Sequence, residues 1–413
     1  MTGDWYQGSD RRERIAAALD ACEFDALLAV TPENAHYLAG HGNYIATHWR
    51  IPGLLSAAIG RSGKPAVSSV DFGADPSIVL PYRHFPFESW IESLDIRQSS
   101  GESAAIRTVA ARPVAMHRPA QFDFDTVWDQ VAAVTQDVAP KASRIGADLR
   151  EVDQYSVEQL LERLPGVMIE DATHVFEDLR AVKDTDELEH LRTACVLTEL
   201  GIYGAMQWLH PGMTELAVNS AYQVAVHEQV MTQARFSQFR QVEGQVSIGI
   251  GTNSPRIVEP GQTIKFDMQV DIAGYHSDVG RTVAHKPTSE QREVFAALHE
   301  ALQQAEKSIR PGVRFSEIHE TGTAAMHDQG FTSYSRGHLG HSLGLTQHFE
   351  EPPFISADEH RHVAESMMLS LELPYYIYGI GAFQLERMIE VNAHGAHAID
   401  RLPFEFAIGL AEP

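Results

Sequence analysis

Asp267 and Asp278 stand with ten residues between them in the stretch Ile264–Val283, IKFDMQVDIAGYHSDVGRTV. Ile264, Phe266, Met268, Val270 and Ile272 alternate there with Lys265, Asp267, Gln269 and Asp271. A period of two marks a strand with one apolar face, and it puts Asp267 on the polar one. Gly274 and Tyr275 supply a turn and Ser277 to Val283 returns, so the stretch reads as a β-hairpin with one aspartate on each strand. Two carboxylates side by side repel and raise each other's pKa; a divalent cation between them removes that cost. Further along, MMLSLEL (367–373) carries Glu372 and FQLERMIEV (383–391) carries Glu386, with Pro374 and Tyr375 to Gly381 read as the turn between two strands. A carboxylate in such an apolar strand is costly to bury unpaired, so it must face a polar cleft or something positive. Between the two acidic pairs lies GHLGHSLGLTQH (337–348), with His338, His341 and His348 among glycines. Four carboxylates and an imidazole suit two hard or borderline divalent ions such as Mn, Co, Fe or Zn. Ions held so would activate water and polarise a carbonyl for its attack.

The elements that must position these groups repeat. Asp184 and Glu187 form a capping-box signature that opens a helix, with Leu188, Leu191, Cys195 and Ile202 at helical spacing. It ends at LHPGMTEL (209–216), and a second helical stretch follows. The same order recurs about a hundred residues on. A helix from Ser289 ends at IRPGVRFSEI (309–318), and another helical stretch and the second acidic hairpin follow. The pattern points to two helix-helix-hairpin units about a pseudo-twofold axis. Upstream, strand and helix signals alternate, as in DALLAV (25–30), Leu54 to Gly60 and Pro65 to Asp71, with a strand or short helix at Ala105 to Ala115. This is the pattern of an α/β domain ending near residue 170. It contains neither a phosphate loop nor a glycine-rich dinucleotide fingerprint. His41, His48, Trp49 and Arg50 form a polar aromatic cluster, read first as loop structure and second as a rim reaching a partner subunit's site.

Thirty-two basic and 56 acidic residues give a formal charge of -24 over 413 residues. That balance argues against nucleic acid or an anionic membrane as partner. No apolar run is long enough to span a bilayer. Two cysteines, Cys22 and Cys195, exclude a disulfide framework and make the cytoplasm the expected compartment.

With these residues in view, the chain resembles the pita-bread metallopeptidases: Xaa-Pro dipeptidases (prolidases), aminopeptidase P, methionine aminopeptidase and the metal-free creatinase. The likeness covers roughly residues 176 to 400 and begins at LRAVK (179–183). It implies an α/β creatinase-like N-terminal domain over residues 1–172. An α+β pita-bread catalytic domain with an internal pseudo-twofold repeat would follow over residues 173–413. It implies that Asp267 chelates one ion, that Asp278 and Glu386 bridge the pair, and that His341 and Glu372 complete the second. Glu372 would also carry the proton from water to the leaving nitrogen. His348 resembles the family histidine that binds the substrate carbonyl. His338 stands three residues before His341, where prolidase-like members often have a histidine four before. Manganese is the first expectation for the ions, then cobalt, zinc or iron.

The pattern departs from the family in places that bear on substrate. SIGIGTNSPRI (247–257) lacks the usual histidine, Leu373 intervenes before Pro374, Phe349 breaks the His-Glu pair, and Arg387 follows the last metal glutamate. On a strand Arg387 would point away from Glu386. Arg256 is either a surface arginine or a contact for a substrate carboxylate. The resemblance implies a two-metal hydrolase of small amides, first a Xaa-Pro dipeptidase acting on a dipeptide or small molecule, and a homodimer. The alternatives on the same fold are a non-peptide C–N hydrolase of ectoine hydrolase or creatinase type, a dimethylsulfoniopropionate lyase, and a metal-free binding protein.

Overall fold

A computed structural model describes residues 11–70, 82–87, 123–250, 256–346 and 350–410. The chain divides into two compact units, one of Arg11–Phe176 and one containing Glu177–Pro413. The expected segment 105–115 lies outside the described residues.

In the first unit, strands β1 (Ala26–Ala29), β2 (Leu55–Gly60), β3 (Pro65–Val70), β4 (Arg83–Phe87), β5 (Arg144–Ala147) and β6 (Met168–Asp171) form one mixed sheet in the order β4-β3-β2-β1-β5-β6. The apolar run Leu27, Leu28 and Ala29 is fully buried, as a central strand requires. Helix Phe124–Val138 packs Trp128, Val131 and Val134 into this core. Arg50 pairs with Glu33 and Glu151 within the unit, and His48 and Trp49 of its cluster lie in helix Tyr44–Trp49 rather than in a loop.

In the second unit the repeat holds down to single hydrogen bonds. Helix Thr185–Trp208 is opened by the Asp184–Glu187 capping box and Ser289–Ser308 by the equivalent Thr288–Gln291 box. Gly212 and Gly312 follow the two Pro turns at φ of 90° and 89°. Gly212 N donates to Val258 O and Gly312 N to Val363 O, each at 2.9 Å, and Val258 N and Val363 N return bonds to Met213 O and Val313 O, each at 2.8 Å. Helices Glu215–Thr232 and Phe315–Asp328 follow.

Each copy then delivers a sheet. The first contains β7 (Phe239–Ile248), β8 (Thr263–Ile272), β9 (Tyr275–His276) and β10 (Val279–His285). The second contains β11 (Gly340–Ser342), β12 (Met368–Ile377), β13 (Gly381–Asn392) and β14 (Gly395–Ala398) in that order. The short β15 (Ala407–Ile408) adds to the edge of β10. The sheets meet along β10 and β13. There Thr282 Oγ1 donates to Gln384 O at 3.0 Å and accepts from Gln384 N at 2.8 Å, and Arg281 Nη1 donates to Glu386 O at 2.5 Å. The apolar face of β8 is buried as expected, but the polar face is covered as well: Lys265 and Asp271 are 5% and 4% exposed.

Two local expectations need correction. The first hairpin turns at Ala273–Gly274, both at positive φ, and Tyr275 already pairs with Ile272. In the second, Pro374 to Ile377 is strand and the chain turns at 378–380. Proline is tolerated there because Glu372 N donates to Leu339 O on the β11 side, and two residues later β11 has ended, so no ladder bond is lost at Pro374.

Gly340, at φ 134°, lets β11 lie against β12: a Cβ there would stand 2.0 Å from Ser370 O. Gly340→Ala is therefore expected to lose about 1–3 kcal/mol of stability and to displace His341. Gly337→Ala, where a Cβ meets nothing within 4 Å, is expected to be close to neutral. Thermal unfolding of the two variants side by side checks this.

Candidate metal centre

One cavity of about 480 Å³ is lined by Asp267, Asp278, His341, Glu372 and Glu386, and His338 stands beside it, 3.5 Å from Glu372. Glu372 and Glu386 are direct cross-strand partners on β12 and β13. Asp278 lies opposite Gln269 and Asp267 opposite Gly280 on the other sheet. Gly280 is needed there, because a Cβ would come within 2.7 Å of Glu386 Oε2. Asp278, His341 and Glu386 each offer an atom within 4.8 Å of the others, and all three are buried. His338, Glu350 and Glu372 make a second such group. His348 lies outside the described residues. Arg256 is not among the cavity's lining residues. Arg387 points to the opposite face of β13, as expected, where it meets Glu306 at 2.9 Å and Asp400 at 3.3 Å.

The electrostatics of the cluster favour a cation. Burial, and then the charges of Glu386, Asp267 and Glu372, push Asp278 well above the usual carboxylate range. Burial, then Glu372 and Asp267, do the same to Glu386. Burial, then Glu350, push Glu372 up to about 7. Asp278 Oδ1 is buried without a hydrogen-bond partner, although its Oδ2 accepts from Gln269 at 3.3 Å. A buried carboxylate oxygen left so is costly. His341 has the complementary state. Burial lowers its pKa and keeps it neutral. Its Nδ1–H donates to Ser342 O at 2.9 Å, so the Nε2 lone pair faces Asp278 at 3.8 Å. A neutral imidazole with its other nitrogen tied to a carbonyl is the form that ligates a metal. The donor set therefore fits divalent ions.

Several residues that hold this set were not singled out from sequence. Lys265, two positions from Asp267 on the same strand face, donates to Asp267 at 3.0 Å and to Gln384 Oε1 at 2.9 Å. Burial works against its charge, but Asp267 together with Tyr376 and Glu386 outweighs it and the ammonium's pKa is raised. Gln384 in turn donates to Glu386 at 2.9 Å and faces Glu372 at 3.4 Å. Ser370 fixes the other oxygen of Glu386 at 2.7 Å. The alternation of β8 and of β13 was the available signal for Lys265 and Gln384. Behind His341, Lys183 donates to Ser342 Oγ at 3.0 Å, and Arg180 meets Thr346 at 3.2 Å and buried Glu351 at 3.5 Å. The LRAVK stretch thus braces the loop that carries His341. His338 Nε2 donates to Glu350 at 3.1 Å and its Nδ1, which accepts from Gly340 N, stands 3.5 Å from Glu372. The hydrogen bond to Glu350 raises the pKa of His338 and lowers that of Glu350.

Residues 189–393 match the profile of metallopeptidase family M24. The chain is 26% identical over 298 residues to a putative dipeptidase, YkvY, of Bacillus subtilis, covering 69% of this chain and 78% of the relative. It is 25% identical over 228 residues to a Xaa-Pro dipeptidase of Pyrococcus furiosus, covering 55% and 65%; the match spans just under two thirds of that archaeal relative. Among solved structures, a Xaa-Pro dipeptidase from Bacillus anthracis superposes with a TM-score of 0.75 at 18% identity, covering 96% of this chain and 99% of that one. The unit that carries the site is a pita-bread metal-dependent hydrolase. It belongs to metallopeptidase family M24.

The raised carboxylates set a pH dependence with a definite sign. A carboxylate whose pKa is higher folded than unfolded favours the fold at low pH, and that contribution is lost as pH rises through the folded value. Metal-free protein is therefore expected to lose thermal stability between about pH 5 and pH 8, through the range where Glu372 titrates near 7. Added divalent metal should restore more at pH 8 than at pH 5. Melting temperatures with and without chelator across that range test it.

Proposed function

We propose that this protein is a dinuclear-metal hydrolase of small amides that cleaves dipeptides of the Xaa-Pro type. The observation that carries the reading is the convergence of Asp267, Asp278, His341, Glu372 and Glu386 on one cavity of about 480 Å³, a size suited to a dipeptide. Asp267 would hold one ion, Asp278 and Glu386 would be shared, and His341 with Glu372 would complete the other. Bound there, the ions supply Lewis acidity toward a carbonyl and lower the pKa of water.

The chain's own groups do the rest. Glu372, pushed up to about 7 before any ion binds, is suited to take a proton from water and deliver it to the leaving nitrogen. His338 stands 3.5 Å from it, anchored on Glu350. His348 is proposed to hold the substrate carbonyl. Residues 1–172 are taken as a creatinase-like N-terminal domain and 173–413 as the catalytic domain. Manganese, a homodimer and a cytoplasmic setting complete the proposal.

One observation favours a second reading. The segment 247–257 carries no histidine, which suits a non-peptide C–N substrate equally well. A panel of Xaa-Pro dipeptides and non-peptide amides, assayed with added Mn, Co or Zn, separates the two. Metal-dependent cleavage of the dipeptides is the expected result, and cleavage of the non-peptide amides alone would replace it. Asp278→Ala is expected to lose bound metal and to bring activity to background while its circular dichroism stays native. Full activity with unchanged metal content in that variant would overturn the assignment.

A further inference from the structure

Lys265 is a buried cation set among the carboxylates and bonded to one of the proposed ligands. Its Nζ donates to Asp267 Oδ2 at 3.0 Å and to Gln384 Oε1 at 2.9 Å. The side chain is 6% exposed. It shares the Tyr376 ring with Arg336, which lines the cavity, each charge lying 5.8 Å from the ring centre. Two residues apart on β8, Lys265 and Asp267 occupy the same strand face. The amide that Lys265 holds carries the contact further, because Gln384 Nε2 donates to Glu386 Oε2 at 2.9 Å. The two ends of the cluster therefore differ. At one end Asp278 Oδ1 is buried without a hydrogen-bond partner, and His341 Nε2 stands 3.8 Å from Asp278 Oδ2. Asp278, His341 and Glu386 bring ligand atoms within 4.8 Å of one another. At the other end Asp267 belongs to no such group among the described residues, and its carboxylate already has a positive partner.

We propose that Lys265 competes with metal for Asp267, so that a second ion is admitted only by displacing the ammonium. The proposal rests on the two-metal reading and deepens it, since it states how that site passes from one ion to two. At Asp278, His341 and Glu386 the chain offers an unpartnered oxygen and a neutral imidazole. At Asp267 it offers an oxygen that a charge of the metal's own sign already holds at 3.0 Å. Repulsion between an ammonium and a divalent ion is little screened in a buried site, and relieving it means breaking a buried ion pair. Gln384 Oε1 remains as a partner for the displaced ammonium. The balance between one-ion and two-ion forms then follows metal supply. A lysine that merely oriented Asp267 for the metal would have the opposite effect, because its loss would weaken the second ion.

The test is titration of the chelator-stripped full chain with manganese chloride, read by calorimetry and by elemental analysis after equilibrium dialysis. The unaltered protein should take up one Mn first and a second only at about a hundredfold higher concentration. Lys265→Met should tighten the second step by about tenfold or more, and by more than it changes the first. Lys265→Gln, neutral but still able to bond Asp267, should do the same, so the result does not hang on one variant folding. Lys265→Arg, which keeps the charge, should keep the weak second step. Two equal steps in the unaltered protein, or a second step that the neutral variants weaken or leave alone, would overturn the proposal. A second Mn taken up by the neutral variants alone would support it. None of these readouts is turnover. Failure to cleave any dipeptide therefore counts against the hydrolase reading alone, whereas no Mn bound by any form would sink both.

Discussion

The second unit depends on one constraint: carboxylates from two packed hairpins are buried within reach of one another. Asp278 and Glu386 are enclosed; Glu386 raises the pKa of Asp278, and Glu372 and Asp267 raise that of Glu386. A fold would ordinarily avoid such an arrangement, because burying like charges without an opposite partner costs several kcal/mol. Here the rest of the structure is built to sustain it. Lys265 holds Asp267, Gln384 and Ser370 hold Glu386, and the Arg281 side chain fixes the backbone of Glu386 from behind. What the chain cannot satisfy by itself is Asp278 Oδ1, and that is the atom a shared cation would take.

The duplicated framework explains how two acidic hairpins come to face each other. Matching capping boxes, Pro-Gly turns and return hydrogen bonds give each copy the same path from helix to strand. A pseudo-twofold arrangement then presents the two polar strand faces to a common centre. The asymmetry that chemistry needs is added on one side only. The loop with His338 and His341 precedes β12, and its supports, Arg180, Lys183 and Glu351, sit beneath it.

Much of this was legible in the sequence because the signals were periodic. The alternation from Ile264 to Ile272 identified the strand and the face of Asp267, and the repeated Pro-Gly turns identified the duplication. Less was legible where burial overrode pattern. Pro374 reads as a turn, yet it continues β12, since its missing N–H falls beyond the end of β11. Lys265 reads as a solvated residue on a polar face, yet that face is closed over by the second sheet. Arg336 carries no spacing signal, because its place beside the metal residues comes from the path of the loop and not from any period. Arg256, the arginine the sequence offered for a substrate carboxylate, does not line the cavity.

Anomalous diffraction from crystals loaded with manganese tests the central claim most directly. The account predicts two manganese peaks: one within bonding distance of Asp278, His341 and Glu386, and a neighbouring one reaching Asp267. Crystals that bind manganese elsewhere, or leave the space between Asp278 and Glu386 without a peak at saturating metal, would contradict it.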